Sequence, residues 1–241
     1  MHKCFMALAR GPLPVAAILA LTSLLPSAHA GIVVGGTRVV FEGGKRETSI
    51  SVNNKGDLPY IVQAWVEDAD NQPPFLVTPP MSRLEGEKES LLRIICVKCD
   101  QLPSDKESVF WLSIKEIPPM VDGDNVLQLA VRTRIKLFYR PRDLKGNVGD
   151  APLQLAWTIG QAADGAATLE VNNPTPYFVS FSKLTATGAS GEQNIKARML
   201  APFGKDSYPL DRGMVATAVS FSTINDYGAD VDSPAVPIKS H

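Results

Sequence analysis

Short β-rich runs separated by turn residues are the feature that most constrains the fold of this chain. Helical periodicity is nearly absent, and apolar residues alternate with polar ones instead. The first set of runs reads, in order, GIVVGGTRVVFEG, TSISVNN, PYIVQAWVED, PFLVTPP, SLLRIICV, SVFWLSIKEI and NVLQLAVRTRIKLFYRP. About seven such strands are typical of an immunoglobulin-like sandwich. Trp65, in PYIVQAWVED, is expected in the core of this sandwich.

A second set of β-rich runs follows an interruption of the pattern. Residues 139–152 are polar and contain Gly and Pro, which suits a linker. After them come LQLAWTIGQ, ATLEVNNPTPYFVSFSKL, QNIKARMLAPFG and VATAVSFSTINDYG. The sequence therefore predicts an all-β protein of two domains, residues 31–145 and residues 146–241.

The first 30 residues have the pattern of a removable export signal. Lys3 and Arg10 form a basic start, residues 15–25 are apolar, and SAHA at 27–30 ends in the Ala-x-Ala form that signal peptidases cut. We expect cleavage after Ala30 and an exported mature chain. A permanent N-terminal anchor is the alternative, but the apolar run is short for a membrane span.

Charge and histidine content exclude several functions. Beyond Ala30 the chain has 22 Lys and Arg against 25 Asp and Glu, a balance of −3. Such a balance gives no footprint for nucleic acid or an anionic membrane. No apolar run beyond Ala30 is long enough to insert into a membrane. The histidines are His2, His29 and His241, so the mature chain offers no Ser–His or Cys–His pair and no zinc ligand cluster.

Cys96 and Cys99 are the only cysteines beyond the signal, in the order Cys-Val-Lys-Cys. In an exported chain this spacing favours a local disulfide. A redox pair normally opens a helix in a thioredoxin-like setting, whereas this pair follows the strand-like SLLRII. Free thiols and a redox role remain open as alternatives.

Motifs for catalysis and cofactor binding are weak. Residues 180–183 match the Ser-x-x-Lys spacing of penicillin-binding enzymes, but they alternate like a strand and lack the partner motifs. The glycines of GIVVGG and EGGK do not have phosphate-loop or dinucleotide spacing. Nothing in these motifs names a reaction, and no cofactor or metal site is predicted.

The run at 125–141 combines an apolar row with a basic end. In a regular strand Asn125, Leu127, Leu129 and Val131 share one face, and Arg132, Arg134 and Lys136 share the other. One interpretation is a half-buried strand with a core face and a solvated face. The other is an edge strand whose apolar row is offered to a partner.

Residues along nearly the whole chain resemble the periplasmic pilus chaperones of the chaperone–usher family. The similar segments are GTRVVFEG, LPYIVQAWVED, VTPPMSRLEGEKESLLRI, LPSDKESVFWLSIKEIPP, NVLQLAVRTRIKLFYRP, NPTPYFVSFSKL, MLAPFG and INDYG, in order. The short stretch between Pro119 and Asn125 resembles the short-loop subclass. The resemblance implies two immunoglobulin-like domains arranged as an L, with a cleft between them.

The resemblance also implies site residues. Arg38 and Lys136 match the basic pair that binds the C-terminal carboxylate of a pilin. Asn125, Leu127, Leu129 and Val131 match the row that the family lends to a pilin as a donor strand, a form of β-augmentation. Since Val131 and Lys136 differ in parity, we expect a twist or a bulge between them, or a cleft that wraps the end of the strand.

A charge cluster between the domains is implied for Glu107, Arg140 and Asp226. Arg132 and Arg134 are expected to be solvated edge charges. Two features depart from the family pattern. Ser113 stands where the family usually has Asn, and the Cys96/Cys99 pair is not part of the short-loop pattern, so the role of the pair stays open.

The function implied is that of a periplasmic chaperone, not an enzyme, which binds, folds and caps pilus subunits and delivers them to an outer-membrane usher. Free chaperone could also cap itself as a dimer. One alternative is an exported β-sandwich adhesin or structural pilus subunit, which would need an incomplete domain and an N-terminal donor extension. Another is a periplasmic thiol enzyme, which depends on Cys96 and Cys99 alone.

Overall fold

The computed structural model describes residues 31–68, 72–120 and 127–238. The proposed export signal at 1–30 lies outside these residues. The first nine strands are β1 (Ile32–Val34), β2 (Arg38–Glu42), β3 (Glu47–Asn54), β4 (Tyr60–Glu67), β5 (Phe75–Thr78), β6 (Met81–Leu84), β7 (Glu89–Cys96), β8 (Ser108–Ile117) and β9 (Arg132–Arg140). The remaining strands are β10 (Ala156–Gln161), β11 (Ala167–Asn172), β12 (Phe181–Gly188), β13 (Gly191–Asn194), β14 (Lys205–Pro209), β15 (Ala216–Ile224), β16 (Asp230–Asp232) and β17 (Val236–Pro237). Short 3-10 helices lie at Cys99–Gln101 and Val148–Gln154.

Two sheets enclose the core of the first domain. One has the strand order β1-β3-β7-β5, and the other has the order β2-β9-β8-β4-β6. Alternation makes each sheet amphipathic, so that β4 buries Val62, Ala64 and Val66 against the facing sheet. The core is completed by residues such as Phe41 and Leu112, which are almost fully buried.

The second domain has its own hydrophobic core between two further sheets. Their strand orders are β10-β11-β14 and β13-β12-β15-β16, with β17 also pairing with β15. Trp157, Leu169 and Val219 lie at the centre of this second core. The chain is therefore an all-β protein of two sandwich domains, as the two sets of β-rich runs predicted.

Trp65 corrects one expectation about the core. It shares β4 with the buried Val62, Ala64 and Val66 but has the opposite parity, so its side chain lies on the outer face of the sheet. There it is only half buried, and the guanidinium of Arg132 stacks over its ring, with Cζ 5.1 Å from the centroid. The prediction that Trp65 is a core residue was wrong because neighbouring residues of the strand take the core face.

Strand β9 lies between β2 and β8 in the first domain's larger sheet, and its side chains point alternately to the two faces of that sheet. Ile135 and Leu137 are buried in the core, whereas Lys136 points to the other face. The pairing of β9 with β8 is continuous from Arg132 to Tyr139, with no register shift. A bulge between Val131 and Lys136 is thus not seen, because the hydrogen bond from Glu116 N to Val131 O (2.9 Å) continues the same register.

Candidate functional site

Arg38 and Lys136 are brought together by the parallel pairing of β2 with β9. In that register Arg38 lies directly opposite Lys136. The chain reaches this position by changing sheets, since β1 pairs with β3 and β2 pairs with β9. Gly35 permits the change, because a Cβ there would lie 2.3 Å from Ser51 Oγ. The two cations are 98 residues apart in sequence, but neighbouring strands place them side by side.

The contacts of the two cations leave hydrogen-bonding capacity unused. Arg38 Nη1 donates to the carbonyl oxygen of Ile224 (2.9 Å), and the guanidinium carbon lies 5.7 Å from the ring centroid of Phe138. Arg38 Nε is buried and has no partner among the described residues. Lys136 Nζ donates to Ser180 Oγ (3.2 Å), a hydroxyl that is itself buried. Neither cation forms a salt bridge within the described part of the chain.

Burial lowers the pKa of both members of this cation pair. Burial, together with the nearby charge of Arg38, lowers the pKa of Lys136. Burial also lowers the pKa of Arg38, although the charge of Asp226 partly offsets this effect. A carboxylate between the two cations would neutralise the repulsion and accept charge-assisted hydrogen bonds.

A second charged cluster joins residues of the two domains. Arg140 Nε donates to Glu107 Oε1 (2.6 Å), while its Nη1 and Nη2 donate to the two carboxylate oxygens of Asp226 (2.7 and 2.9 Å). Glu107 is only 3% exposed, and its Oε2 accepts a hydrogen bond from Phe178 N (2.8 Å). The structure thus brings together the three residues for which the sequence implied a cluster.

The electrostatics of this cluster are dominated by the burial of Glu107. Burial raises the pKa of Glu107, and the charge of Arg140 and the Phe178 N–H only partly oppose it. The pKa of Arg140 is raised: burial alone would lower it, but its hydrogen bonds and its attraction to Asp226 and Glu107 outweigh that loss. Arg140 therefore stays charged and holds one buried and one half-exposed carboxylate.

An open cleft of about 610 Å³ adjoins both clusters. Its lining includes Arg38 and Ser180 from the cation site and Glu107, Arg140 and Asp226 from the charge cluster. Between them lie the aromatic rings of Phe138 and Phe178, whose centroids are 5.8 Å apart. The residues of β9, β15 and the segment 147–153 meet at this cleft.

The predicted donor row lies before the start of β9. Leu127, Leu129 and Val131 are 82%, 67% and 50% exposed. The structure assigns residues 127–131 to no strand, so the strand expected from residue 125 begins at Arg132 instead. No described neighbour pairs with Leu127, Gln128, Leu129 or Ala130 in a β-ladder. Asn125 lies outside the described residues.

Family models match the chain over both domains. Residues 31–145 match the pili and flagellar-assembly chaperone PapD N-terminal domain, and residues 150–235 match the pili assembly chaperone PapD C-terminal domain. The chain belongs to the pilus assembly chaperone family. This membership confirms the resemblance seen in the sequence.

Individual members of the family are similar over most of their length. The probable fimbrial chaperone YadV of Escherichia coli K12 is 38% identical, over 87% of this chain and 91% of its own. The chaperone protein FimB/FhaD of Bordetella pertussis is 41% identical, over 86% and 88%. The crystal structure of YadV superimposes with a TM-score of 0.75, covering 87% of this chain and 100% of that one at 37% identity. The Salmonella enterica SafB chaperone, solved in complex with the SafA pilin, superimposes with a TM-score of 0.74 at 27% identity. The match covers 88% of this chain and 99% of that one.

Arg132 and Arg134 are exposed, as the sequence suggested, but each also has partners on the outer face of the sheet. Arg134 stacks on Trp111, with its guanidinium carbon 4.1 Å from the ring centroid, and its Nε lies 3.2 Å from Glu67 Oε2. Arg132 stacks on Trp65 and also binds Glu67. Cation–π contacts of this kind hold a long side chain flat on the sheet. The sequence did not reveal these partners, because a single strand does not show which side chains of β4 and β8 lie beside it.

Ser113 takes part in the same network on the outer face of the sheet. Its hydroxyl donates to Glu67 Oε1 (2.7 Å) and accepts from Arg132 Nη2 (3.0 Å). The pKa of Glu67 is lowered: burial would raise it, but the Ser113 hydroxyl and the charge of Arg132 outweigh burial. In this chain Ser113, in place of the family's usual Asn, therefore links an acid and a base across three strands.

Cys96 and Cys99 form a disulfide in the structure, with 5.7 Å between their Cα atoms. Cys96 ends β7, and Cys99 begins the short 3-10 helix that follows. Both are partly buried and pack against the first core. The disulfide joins the end of β7 to the segment that leads to Glu107.

The sequence did not reveal several residues that contribute to the site. Ser180 was noticed only for a chance Ser-x-x-Lys spacing, yet its hydroxyl accepts from Lys136. The carbonyl of Ile224 and the rings of Phe138 and Phe178 also belong to the site. The one signal in the sequence is that Lys136 and Phe138 share a face of β9. A large apolar residue on that face indicates that the face is covered.

The described residues contain no helix that is long and apolar enough to cross a membrane.

Proposed function

We propose that this chain is a periplasmic chaperone that binds pilus subunits, caps them by donor-strand complementation and passes them to an outer-membrane usher. The observation that carries the proposal is the half-buried pair Arg38 and Lys136, with no acidic salt-bridge partner in the described chain, beside an exposed apolar row. It acts by binding rather than by catalysis. The name of SafB, a pilin-bound relative, supports this partner class.

The free edge of β9 explains how the two parts act on one partner. On one side β9 pairs with β8 along almost its whole length, whereas on the other side β2 pairs with it only from Lys136 onward. Among the described residues, the edge from Val131 to Ile135 is therefore open on the β2 side. A partner strand can add here through main-chain hydrogen bonds, but it must stop where β2 begins.

The position of the cations selects the direction of that strand. A strand parallel to β9 reaches Arg38 and Lys136 with its C-terminal end, and an antiparallel strand would reach them with its N-terminal end. Two cations attract a carboxylate and repel an ammonium group. The geometry thus favours a parallel partner whose last residue is held at Arg38 and Lys136.

The distance from anchor to donor row sets the register of the partner. From Val131 to Lys136 is five residues, or about 16 Å of strand. With the terminal carboxylate fixed, the apolar side chains of Leu127, Leu129 and Val131 meet the same positions of the partner every time. Alternate side chains then fill the groove left by the missing strand of a pilin.

The domain limits and the export signal belong to the same proposal. The mature protein begins at Gly31, its first domain extends to residue 145, and residues 146–241 form the second. The family models, which end at 145 and resume at 150, support this division. The alternative of an adhesin or structural pilus subunit has less support, because the similar curated proteins are named chaperones.

Co-expression with a pilin tests the proposal. Arg38→Ala and Lys136→Ala are expected to abolish recovery of soluble pilin from the periplasm, and Lys115→Ala, a basic residue of β8 outside the cleft, is the matched control. Adding two residues to the pilin C-terminus should have the same effect as Arg38→Ala, because it moves the carboxylate past the anchor. Normal pilin recovery with both anchor variants, while they remain folded, would contradict the mechanism.

A further inference from the structure

Three large apolar side chains are exposed around the cleft that adjoins Arg38. Leu153, Tyr227 and Val231 are 65%, 95% and 49% exposed, and all three line this cleft. They come from the 3-10 helix at 148–154, from the turn after β15 and from β16. Single exposed apolar residues are ordinary, but several around one concave surface mark a place where a partner binds.

Tyr227 is presented on a rigid turn. The preceding residue, Asp226, is held by two hydrogen bonds from Arg140, and Asn225 Oδ1 accepts from Tyr227 N and Ala229 N (both 3.0 Å). Gly228 follows with φ +84°, and a Cβ there would lie 2.4 Å from Thr37 Oγ1. Because the backbone of this turn is already held, little backbone conformational entropy is lost when a partner covers the exposed ring.

The cleft is continuous with the carboxylate site. Arg38 and Ser180 line it, and Ser180 accepts the hydrogen bond from Lys136. A chain whose terminal carboxylate is held by Arg38 and Lys136 therefore has its last side chains at the mouth of the cleft. Asp232 on the cleft wall opposes an acidic side chain there, whereas the charge of Asp226 is already paired with Arg140.

We infer that this cleft binds the last one or two side chains of the pilin and selects aromatic or large aliphatic residues through Leu153, Tyr227 and Val231. The inference builds on the proposed function, since the carboxylate anchor brings those side chains to the cleft. Arg38 and Lys136 bind only the terminal carboxylate, and the cleft would add specificity for the side chains next to it.

Synthetic peptides separate the anchor from the cleft. Three ten-residue peptides of alternating apolar and polar residues, each with a free carboxylate, end in Phe, Ala or Asp. Their affinities are measured by fluorescence anisotropy against the parent protein, Leu153→Ala/Tyr227→Ala and the control Val215→Ala, which alters an equally exposed apolar residue outside the cleft. The Phe peptide with an amidated C-terminus and the variant Arg38→Ala report on the anchor.

If the cleft binds the last side chain, the protein should prefer the Phe peptide, and this preference should depend on Leu153 and Tyr227. The parent should bind the Phe peptide about tenfold more tightly than the Ala peptide, and the Asp peptide least well. In Leu153→Ala/Tyr227→Ala this preference should fall to about twofold, with the Ala peptide bound as by the parent, and Val215→Ala should behave like the parent.

The results distinguish failure of the inference from failure of the proposed function. Binding that needs the free carboxylate and Arg38 but shows no preference for Phe would overturn the inference and leave the anchor in place. Binding that ignores amidation, or no binding by any peptide, would contradict the carboxylate site itself. If Leu153→Ala/Tyr227→Ala keeps the preference but changes the elution volume in gel filtration, the rim is a surface for a second copy of this chain and the inference is wrong.

Discussion

Replacement of Arg140 by Met is expected to destabilise the protein strongly near neutral pH. The change leaves the Glu107 carboxylate, which is 3% exposed, with the Phe178 N–H as its remaining hydrogen bond. Removing one partner of a buried ion pair typically costs about 3–5 kcal/mol. We expect the lower end, about 3 kcal/mol, because the other carboxylate, Asp226, is 31% exposed and contributes little when it returns to water.

The cost should depend on pH in a defined direction. Without Arg140 the pKa of Glu107, already raised by burial, rises further in the folded state. A raised folded pKa means that the stabilising contribution is complete below the unfolded pKa, about 4.3, and is lost as the pH rises through the folded pKa. The difference between parent and Arg140→Met should therefore be small near that unfolded pKa and largest near neutral pH.

A second substitution isolates the buried charge. Glu107→Gln/Arg140→Met removes both charges of the buried pair, so at neutral pH it should be more stable than Arg140→Met alone. Arg140→Lys keeps the positive charge but lacks the planar guanidinium that contacts both carboxylates. We therefore expect its loss of stability to lie between zero and that of Arg140→Met. The ranking of the three variants is more informative than any one value.

Urea unfolding followed by two signals measures these differences. Far-ultraviolet circular dichroism reports on both domains, and tryptophan fluorescence reports on Trp65, Trp111 and Trp157, which lie in both. If the two signals give coincident transitions, a two-state free energy of unfolding is justified. When the variants have equal slopes in urea, the shift in the urea midpoint gives the loss of stability. A loss below about 0.5 kcal/mol for Arg140→Met near neutral pH, or an equal loss near pH 4.3, would refute this account of the cluster.

Three further predictions follow from exposure, charge and loop size. Leu129→Asp should abolish pilin recovery while changing the free energy of unfolding by less than about 0.5 kcal/mol, because Leu129 is 67% exposed; Val215→Asp, at 69%, is the control and should leave recovery intact. Binding of a peptide carboxylate should weaken as the pH rises through the lowered pKa of Lys136, at values where an ordinary lysine (about 10.4) is still charged. Lys136→Arg should abolish that weakening in an anisotropy titration, and an unchanged profile would exclude Lys136 as a direct ligand. Replacing Cys96 and Cys99 by Ser should cost about 2 kcal/mol or less in urea, since the disulfide closes a very short loop, and a reductant should have no additional effect on that variant.

The fold could be predicted from the sequence because its main signal is local. Alternation with period two is visible within each strand, and the turn residues between runs mark where strands end. The same local parity predicts that Ile135 and Leu137 face the core and that Lys136 does not. The division into two sets of runs corresponds to the two hydrophobic cores.

The site could be predicted only in part, because it depends on contacts between distant strands. The pairing of Arg38 with Lys136 came from the family resemblance, since no local pattern connects β2 with β9. The stacking of Arg132 and Arg134 on tryptophans was missed for the same reason: it requires the registers of three strands at once. Tyr227 was quoted in the motif INDYG, but nothing in the sequence shows that its ring would remain exposed at a cleft.

The apolar row that precedes β9 and the basic residue Lys136 within β9 can act on one partner without any bulge between them. A partner strand that adds to the edge of a sheet lies in the plane of that sheet, with its side chains on both faces and its terminal carboxylate at the end of the plane. Val131 and Lys136 can therefore point to opposite faces and still contact the same partner. The carboxylate meets Lys136 from β9 and Arg38 from β2, the strand that occupies the next position along the edge. Because the register is continuous, inserting a single residue between Val131 and Lys136 would turn the whole apolar row to the other face while the anchor stayed in place. Such a variant should still bind a short peptide carboxylate in an anisotropy titration but fail to cap a pilin, and retained capping would show that the donor row does not act in a fixed register.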